Sequence, residues 1–311
     1  GSGSVGQKRE TRRSAVNNVV LITRANFLPL TLTIVIAGLA AAFYAHAAFH
    51  PLNALLVLTG ALLTHAAVNV FNNYFDYRSG VDAKTRKTPF SGGVTILTEG
   101  QMKPSRAFAI GLICLLGASV IGVYLLARQF YPLFPILFYG LIAICLYTPI
   151  LSRIPALSEV VAGSGFGFMG LGVYVTQTGV IDGPGISVLV PVSILVGLLL
   201  FLNEFPDAEA DRIAGRRHLV ILLGTRKSAY VYVAGLTATY LSILLAVTTR
   251  IAPLPVLISL ATLPIAYKAG RIALKNYDQF SELIPALASN VMVILSTILL
   301  IAVGFLVGAY V

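Results

Sequence analysis

Residues 186–211 read ISVLVPVSILVGLLLFLNEFPDAEAD, an apolar run that ends in a cluster of acidic residues. The first 17 of these residues are about enough to cross most of the hydrocarbon core of a bilayer. Asn203, Asp207 and Asp211 follow at intervals of four residues, so on a helix they lie along one face. A charged side chain at the bilayer centre costs about 3 kcal/mol or more, so these acids suggest a functional site unless they merely end a helix in water.

A second polar cluster closes another long apolar run, residues 52–70. It reads NVFNNYFD over residues 69–76. Four polar residues of this region recur at helical spacing and form one stripe: His65, Asn69, Asn72 and Asp76. Two helices that each end in Asn-x-x-x-Asp offer converging oxygen ligands. Mg²⁺ typically binds through one or two such carboxylates together with substrate phosphates, so the sequence predicts one cation site at the ends of two helices.

The composition excludes an ordinary soluble domain. Of the 311 residues, 57% are hydrophobic and only 11% are charged, and the mean hydropathy is +0.86. Soluble domains carry about 25% charged residues, so the fold class is predicted to be all-α, in a polytopic membrane protein. The net charge of +10 does not indicate a nucleic-acid partner, because the distribution of charge matters more than its sum.

Apolar windows predict nine transmembrane spans, at about 20–43, 52–76, 105–127, 131–149, 156–180, 186–206, 228–248, 251–268 and 283–310. The boundary near residues 250–253 is a very tight turn, and merging the spans on either side of it would leave eight. Residues 1–19 are expected to be a tag remnant followed by a basic cytoplasmic arm. Residues 20–311 are expected to form a single transmembrane domain. The longest polar segments, predicted as loops, are residues 77–104 and 207–227.

The positive-inside rule orients the nine spans. With the N-terminus in the cytoplasm, 20 of the 22 lysines and arginines lie on the cytoplasmic side, and only Arg128 and Arg250 lie outside. Both acidic clusters then lie at the cytoplasmic surface of the cell membrane, and the C-terminus lies outside. A secondary transporter remains the alternative class, but it predicts acids near the bilayer midplane and broken helices. Acids at the cytoplasmic ends of helices favour an enzyme.

Basic residues follow both acidic clusters in the sequence. Metal-binding acids beside cations describe a site for a polyanion such as a diphosphate, although many of these cations are equally explained as positive-inside markers. A diphosphate at a membrane surface suggests a lipid-soluble substrate whose apolar chain extends into the bilayer. The predicted chemistry is ionisation of its C–O bond, with metal and cations stabilising the departing charge and aromatic side chains sheltering the allylic cation.

The paired motifs resemble those of the UbiA superfamily of intramembrane prenyltransferases. Residues 72–82 look like its Asn/Asp-rich segment at the end of the second helix, with Asn73 where many members carry Asp. Residues 203–211 look like its Asp-x-x-x-Asp segment at the end of the sixth helix. Residues 23–28 and 147–149 resemble two shorter motifs of the same family.

The resemblance implies nine helices around a central cavity and Mg²⁺-dependent transfer of a prenyl group from a prenyl diphosphate to an acceptor in the lipid membrane. It implies that the catalytic and metal-binding carboxylates are Asp76, Asp207 and Asp211. The further metal ligands that it implies are Asn72, Asn203 and Asp82. The residues expected to contact the substrate are Asn72, Asn203, Arg24, Lys84, Arg153, Arg217 and Tyr147.

The acceptor is open to two interpretations. Residues 80–82 and 203–215 look most like the branch that prenylates dihydroxynaphthoate for menaquinone, which implies an aromatic quinone precursor. Members that prenylate a glyceryl phosphate for archaeal ether lipids remain an alternative. A CDP-alcohol phosphotransferase is disfavoured, because the sequence lacks the Asp-Gly-x-x-Ala-Arg run that this class requires.

Residues 165–170, GFGFMG, match the glycine pattern of dinucleotide-binding sites. The pattern lies inside an apolar span with no preceding strand, so close helix packing through small residues is the better interpretation.

Overall fold

The computed structural model describes residues 14–80, 93–128, 130–147, 149–213 and 215–311. These residues form α-helices and 3-10 turns, and the described ranges contain no strand, as expected for an all-α protein. Eight helical segments are long and apolar enough to cross a membrane, and one further apolar helix has 15 residues. The segments correspond one to one to the predicted spans, so the prediction of about nine membrane helices is confirmed.

A short helix at 14–22, α1, precedes the membrane helices. The first five spans are α2 (Leu28–His46), α3 (Pro51–Ser79), α4 (Pro104–Ala127), α5 (Leu133–Tyr147) and α6 (Leu157–Thr178). The sixth and seventh are α7 (Gly183–Ile213) and α9 (Thr225–Thr248), with the short helix α8 (Leu219–Leu223) between them. The last two are a 3-10 segment (Leu254–Thr262) that continues into α10 (Leu263–Lys275), and α11 (Phe280–Gly308).

The first predicted span, 20–43, begins too early. The chain turns at Thr23 and Arg24, and α2 starts only at Leu28, with Pro29 in its first turn. Proline fits the first turn of a helix because the N–H group that it lacks would have no partner there.

The division at 250–253 is confirmed, because Arg250 has a left-handed φ of 62° and the next span begins after Pro253.

The predicted loop 207–227 is wrong in its first part, because α7 continues through Pro206 to Ile213. At 1.5 Å per residue a helix of 31 residues is about 46 Å long, whereas the hydrocarbon core is about 30 Å thick. The last turns of α7 can therefore extend beyond the apolar layer. This end of the helix still buries Phe205, Asp207 and Asp211, so packing maintains it past the proline.

Glycines bring α6 and α7 into close contact. A Cβ atom added at Gly167 would lie 2.7 Å from the carbonyl oxygen of Leu189, and one added at Gly170 would lie 3.2 Å from Val188. Gly163, one turn earlier, faces the backbone of Ser193 and Gly197. The interpretation as a helix-packing surface is confirmed for Gly167 and Gly170, whereas Gly165 of the same stretch has no neighbour within 4 Å.

Candidate active site

A cavity of about 240 Å³ lies between α2, α3, α5, α6, α7 and α11. Most of its wall is apolar, and its polar groups are Arg24, Asn26, Thr64, His65, Asn69, Asn72, Tyr147 and Asn203. A second apolar cavity, of about 290 Å³, lies beside it and shares five wall residues: Thr64, Gly140, Ile144, Gly165 and Met169. The site therefore combines a polar group of side chains with a long apolar space.

The asparagine-rich part of α3 holds the turn that carries Arg24. Asn69 Nδ2 donates to the carbonyl oxygen of Thr23 at 2.9 Å, and Asn73 Nδ2 donates to that of Ile22 at 3.1 Å. Arg24 Nη2 in turn donates to Asn73 Oδ1 at 2.8 Å. Arg24 has left-handed backbone angles (φ 49°, ψ 52°), which cost an arginine about 1–3 kcal/mol and persist only when the surroundings enforce them. Asn73 is thus a scaffold residue that aims Arg24 into the cavity.

Arg216 joins the two acidic motifs. Its guanidinium forms an ion pair with Asp76 of α3 and lies 3.8 Å from Asp211 of α7. All three side chains are at least three-quarters buried, so this bridge is shielded from water. The carboxylates at the ends of α3 and α7 therefore meet on the same side of the helical bundle.

The end of α7 explains how Arg216 reaches this position. Gly215 has a φ of 81°, its N–H donates to Arg212, and the N–H of Arg216 donates to Asp211 at 2.9 Å. This is the hydrogen-bond pattern of a Schellman helix end, which reverses the chain direction through a glycine. This turn places the side chain of Arg216 over the end of α7, next to Asp211.

Asn203 and Asp207 lie farther back on α7. Asn203 lines the cavity, and its Oδ1 atom is buried without a hydrogen-bond partner among the described residues. Asp207 is buried, one turn closer to the helix end. Asn72 also lines the cavity, so two amide groups face it, and the Asp207 carboxylate lies one helical turn beyond Asn203 on α7. A hard cation such as Mg²⁺ prefers this donor set, so the residues present fit the ion that the resemblance implies.

The other predicted residues are placed differently. Tyr147 is the last residue of α5 and lines the cavity. Arg153 and Arg217 are exposed, and neither forms an ion pair with the acidic motifs in the described part of the chain, so their roles stay predictions. Asp82 and Lys84 lie outside the described residues.

Three residues near the motifs were not predicted as site residues: the buried Glu159 and His218, and the partly exposed Arg216. His218 Nε2 lies 3.1 Å from Asp211 Oδ2, and Glu159 Oε1 accepts the N–H of Leu219 at 2.9 Å. The sequence did contain a signal for Arg216, since a glycine after an acidic helix end predicts that the next residue turns back. No comparable local signal indicates Glu159, because it begins a different helix.

These features define an integral membrane protein with an acid- and amide-lined site next to an apolar cavity. The sequence profile of the UbiA prenyltransferase family matches residues 31–291. The chain therefore belongs to this family and is a prenyltransferase. The transporter alternative is wrong.

Two curated relatives share the name 1,4-dihydroxy-2-naphthoate octaprenyltransferase. The one from Bacillus subtilis is 31% identical over 199 residues, which cover 60% of this chain and 62% of the relative, just under two thirds of its length. The one from Haemophilus influenzae is 29% identical over 304 residues, which cover 92% of this chain and 94% of the relative. A solved structure of a UbiA homolog from Archaeoglobus fulgidus, bound to DMAPP and Mg2+, has the same fold. Its TM-score is 0.60 at 15% identity, and the match covers 92% of this chain and 99% of that chain.

Proposed function

We propose that this chain transfers a prenyl group from a prenyl diphosphate to an aromatic quinone precursor of the dihydroxynaphthoate class. The reaction requires Mg²⁺ and takes place at the cytoplasmic face of the cell membrane. The observation that carries this proposal is the meeting of Asp76 and Asp211 at Arg216, on the same two helices whose Asn72 and Asn203 line an apolar cavity. The names of the two curated relatives support an aromatic acceptor over a glyceryl phosphate.

The two parts of the donor match the two parts of the site. The prenyl chain occupies the apolar cavity, where burial of each CH₂ group contributes about 0.8 kcal/mol. The diphosphate lies near Arg24 and Arg216, whose guanidinium groups can donate to a carboxylate or amide and to phosphate oxygens at the same time. Asp76, Asp207 and Asp211, assisted by Asn72 and Asn203, would hold Mg²⁺, which when bound supplies positive charge to the departing diphosphate.

The reaction breaks the bond between the allylic carbon and the diphosphate oxygen, and the electron pair leaves with the diphosphate. Arg24 and Arg216 stabilise that charge by hydrogen bonds directed at the leaving oxygens. The apolar wall excludes water, which would otherwise capture the allylic cation, and the ring of Tyr147 shelters that cation. A carbon atom of the acceptor ring then attacks, and loss of the ring proton restores aromaticity.

The test is a prenyl-transfer assay with purified protein, labelled prenyl diphosphates of several lengths, 1,4-dihydroxy-2-naphthoate and glyceryl phosphates. We expect a prenylated naphthoate that is identified by its mass and disappears in chelator. Prenylation of the glyceryl phosphate alone, or undiminished turnover in chelator, would contradict the proposal.

In this assay, Asp76→Asn and Asp207→Asn should each lower turnover by about 100-fold or more, because each removes a charged oxygen ligand from the diphosphate site. The matched control is Glu209→Gln, an acid of the same motif that is 70% exposed and paired with Arg212 at 2.7 Å. It should keep nearly full activity. Equal effects of all three substitutions would reject the assigned roles.

A further inference from the structure

A second group of potential metal ligands lies beside the acidic motifs, and it combines three elements of the chain. Glu159 comes from the start of α6, Glu204 from α7 and His218 from the segment before α8. One ligand atom from each residue lies within 4.8 Å of the others. All three residues are more than nine-tenths buried. None of them belongs to the ligand set implied by the resemblance.

Two of the atoms in this group lack hydrogen bonds. Glu204 Oε2 and His218 Nδ1 are buried without a hydrogen-bond partner among the described residues, although they lie only 3.4 Å apart. The other ring nitrogen, His218 Nε2, lies 3.1 Å from Asp211 Oδ2. A carboxylate can only accept, so the proton of a neutral imidazole belongs on Nε2. The lone pair on Nδ1 then faces a carboxylate oxygen, which is repulsive unless a metal ion or a proton lies between them.

The same arrangement is typical of metal-binding histidines. A histidine that binds a metal usually donates its other N–H group to a carboxylate, which fixes the tautomer and the ring orientation. Asp211 supplies that carboxylate here. Two ligand atoms about 2.1 Å from a tetrahedral ion are about 3.4 Å apart, which matches the separation between Glu204 Oε2 and His218 Nδ1.

We propose that Glu159, Glu204 and His218 bind a borderline divalent cation of the Zn²⁺ class, separately from the Mg²⁺-diphosphate site. Mg²⁺ prefers ligand sets made of oxygens, whereas an imidazole nitrogen with two carboxylates suits Zn²⁺ and its neighbours in the transition series. The oxygens of Glu159 already accept from Leu219 N–H at 2.9 Å and from Ser158 Oγ at 2.8 Å, which holds that carboxylate in place. A carboxylate oxygen has further lone-pair capacity for a cation.

The bound ion would have a structural consequence for the neighbouring site. It would link α6, α7 and the segment that contains Arg216, which lies two residues before His218. Arg216 would thereby be held against Asp76 and Asp211. This site does not depend on the identity of the prenyl acceptor.

The test uses metal alone, without prenyl substrates. Purified, chelator-treated protein is titrated with Co²⁺ as a spectroscopic substitute for Zn²⁺, and visible absorbance and thermal stability are recorded. We expect about one Co²⁺ per chain, intense absorption bands of a low-coordinate site, displacement by Zn²⁺ but not by Mg²⁺, and a higher Tm. Absence of these bands in wild-type protein at saturating Co²⁺ would overturn the proposal.

Variants locate the bound ion. Glu204→Gln and His218→Gln should abolish the absorption bands and the rise in Tm. Glu209→Gln, on the exposed side of the same helix, should retain both. Asp76→Asn alters the Mg²⁺ site from a different helix and should also retain the bands. Loss of the bands in Asp76→Asn together with their retention in Glu204→Gln would assign the Co²⁺ signal to the Mg²⁺ site and reject the proposal. If neither Glu204→Gln nor His218→Gln folds, the Co²⁺ titration of the wild-type protein tests the proposal by itself.

Discussion

At the scale of single residues, the two cations of the site are placed by backbone geometry. Arg24 sits in a left-handed turn that Asn69 and Asn73 enforce. Arg216 follows the left-handed Gly215 that ends α7. A flexible side chain loses entropy when it is fixed, and these turns supply part of the required order before substrate binds. On the proposed function, both arginines are prearranged for the diphosphate.

Arg216 should contribute more to catalysis than its exposed neighbour. Arg216→Gln removes the only positive charge that contacts both Asp76 and Asp211 in the described part of the chain, so we expect turnover to fall by about 100-fold. Arg216→Lys keeps the charge but loses the planar fork of donors, and should recover only part of the activity. Steady-state kinetics measure both effects.

The control for this series is Arg212→Gln, which alters an arginine that is 63% exposed and contacts Glu209. It should leave turnover within about twofold of wild type, as is usual for exposed ion pairs. Arg217→Gln tests the remaining sequence prediction in the same assay. A larger loss in Arg217→Gln than in Arg216→Gln would contradict the role given to Arg216.

At the scale of helices, the contact between α6 and α7 positions the site. Glu159 and the wall residue Ala162 lie on α6, and Asn203 lies on α7. Glycines allow the two backbones to approach closely, which is how membrane helices gain packing energy without a hydrophobic driving force. A change at this contact should alter the spacing of the cavity walls.

Gly163→Ala should therefore destabilise the protein. The added Cβ atom would meet the carbonyl oxygen of Ser193 and lie 3.0 Å from Gly197 Cα, and both are backbone atoms that cannot rotate away. Overpacking of this kind costs about 1–3 kcal/mol, which should lower the Tm by several degrees. In the control, Gly165→Ala, the added atom has no neighbour within 4 Å, and the Tm should stay level or rise. Equal Tm values for the two variants would argue against this contact.

The helices themselves could be predicted from the sequence because long apolar runs have few alternatives in a membrane. The residues at which the helices begin and end could not be predicted in the same way. The break at Arg24 depends on hydrogen bonds from Asn69 and Asn73, which are distant in sequence. The continuation of α7 past Pro206 depends on the burial of its far end. Tertiary contacts decided both boundaries, and apolar periodicity carries no information about them.

At the scale of the whole molecule, the site assembles residues that are far apart in the chain. Asp76 and Arg216 are separated by 140 positions, yet their ion pair is buried. The sequence predicted that the two acidic motifs would share a membrane face, because the charge pattern predicts the orientation of each helix end. It could not predict which of the neighbouring cations would lie between them, since that depends on the turn after α7.

The predicted orientation can be measured by labelling single cysteines in a background that lacks Cys114 and Cys145. Arg226→Cys, exposed at the start of α9, should react with an impermeant maleimide only from the cytoplasmic side. Tyr310→Cys, at a residue that is 80% exposed near the C-terminus, should react from the outside in intact cells. Reversed labelling, or labelling of both from one side, would refute the positive-inside orientation of this chain.

The shortness of α5 bears on how the prenyl chain of the proposed donor would lie in the protein. Its 15 residues extend about 22 Å, some 8 Å less than the hydrocarbon layer, and a bilayer accommodates such a short helix by local thinning. Gly140 and Ile144 of this helix line both cavities. On the proposed function, we expect a long isoprenoid to extend along α5 from one cavity towards the other.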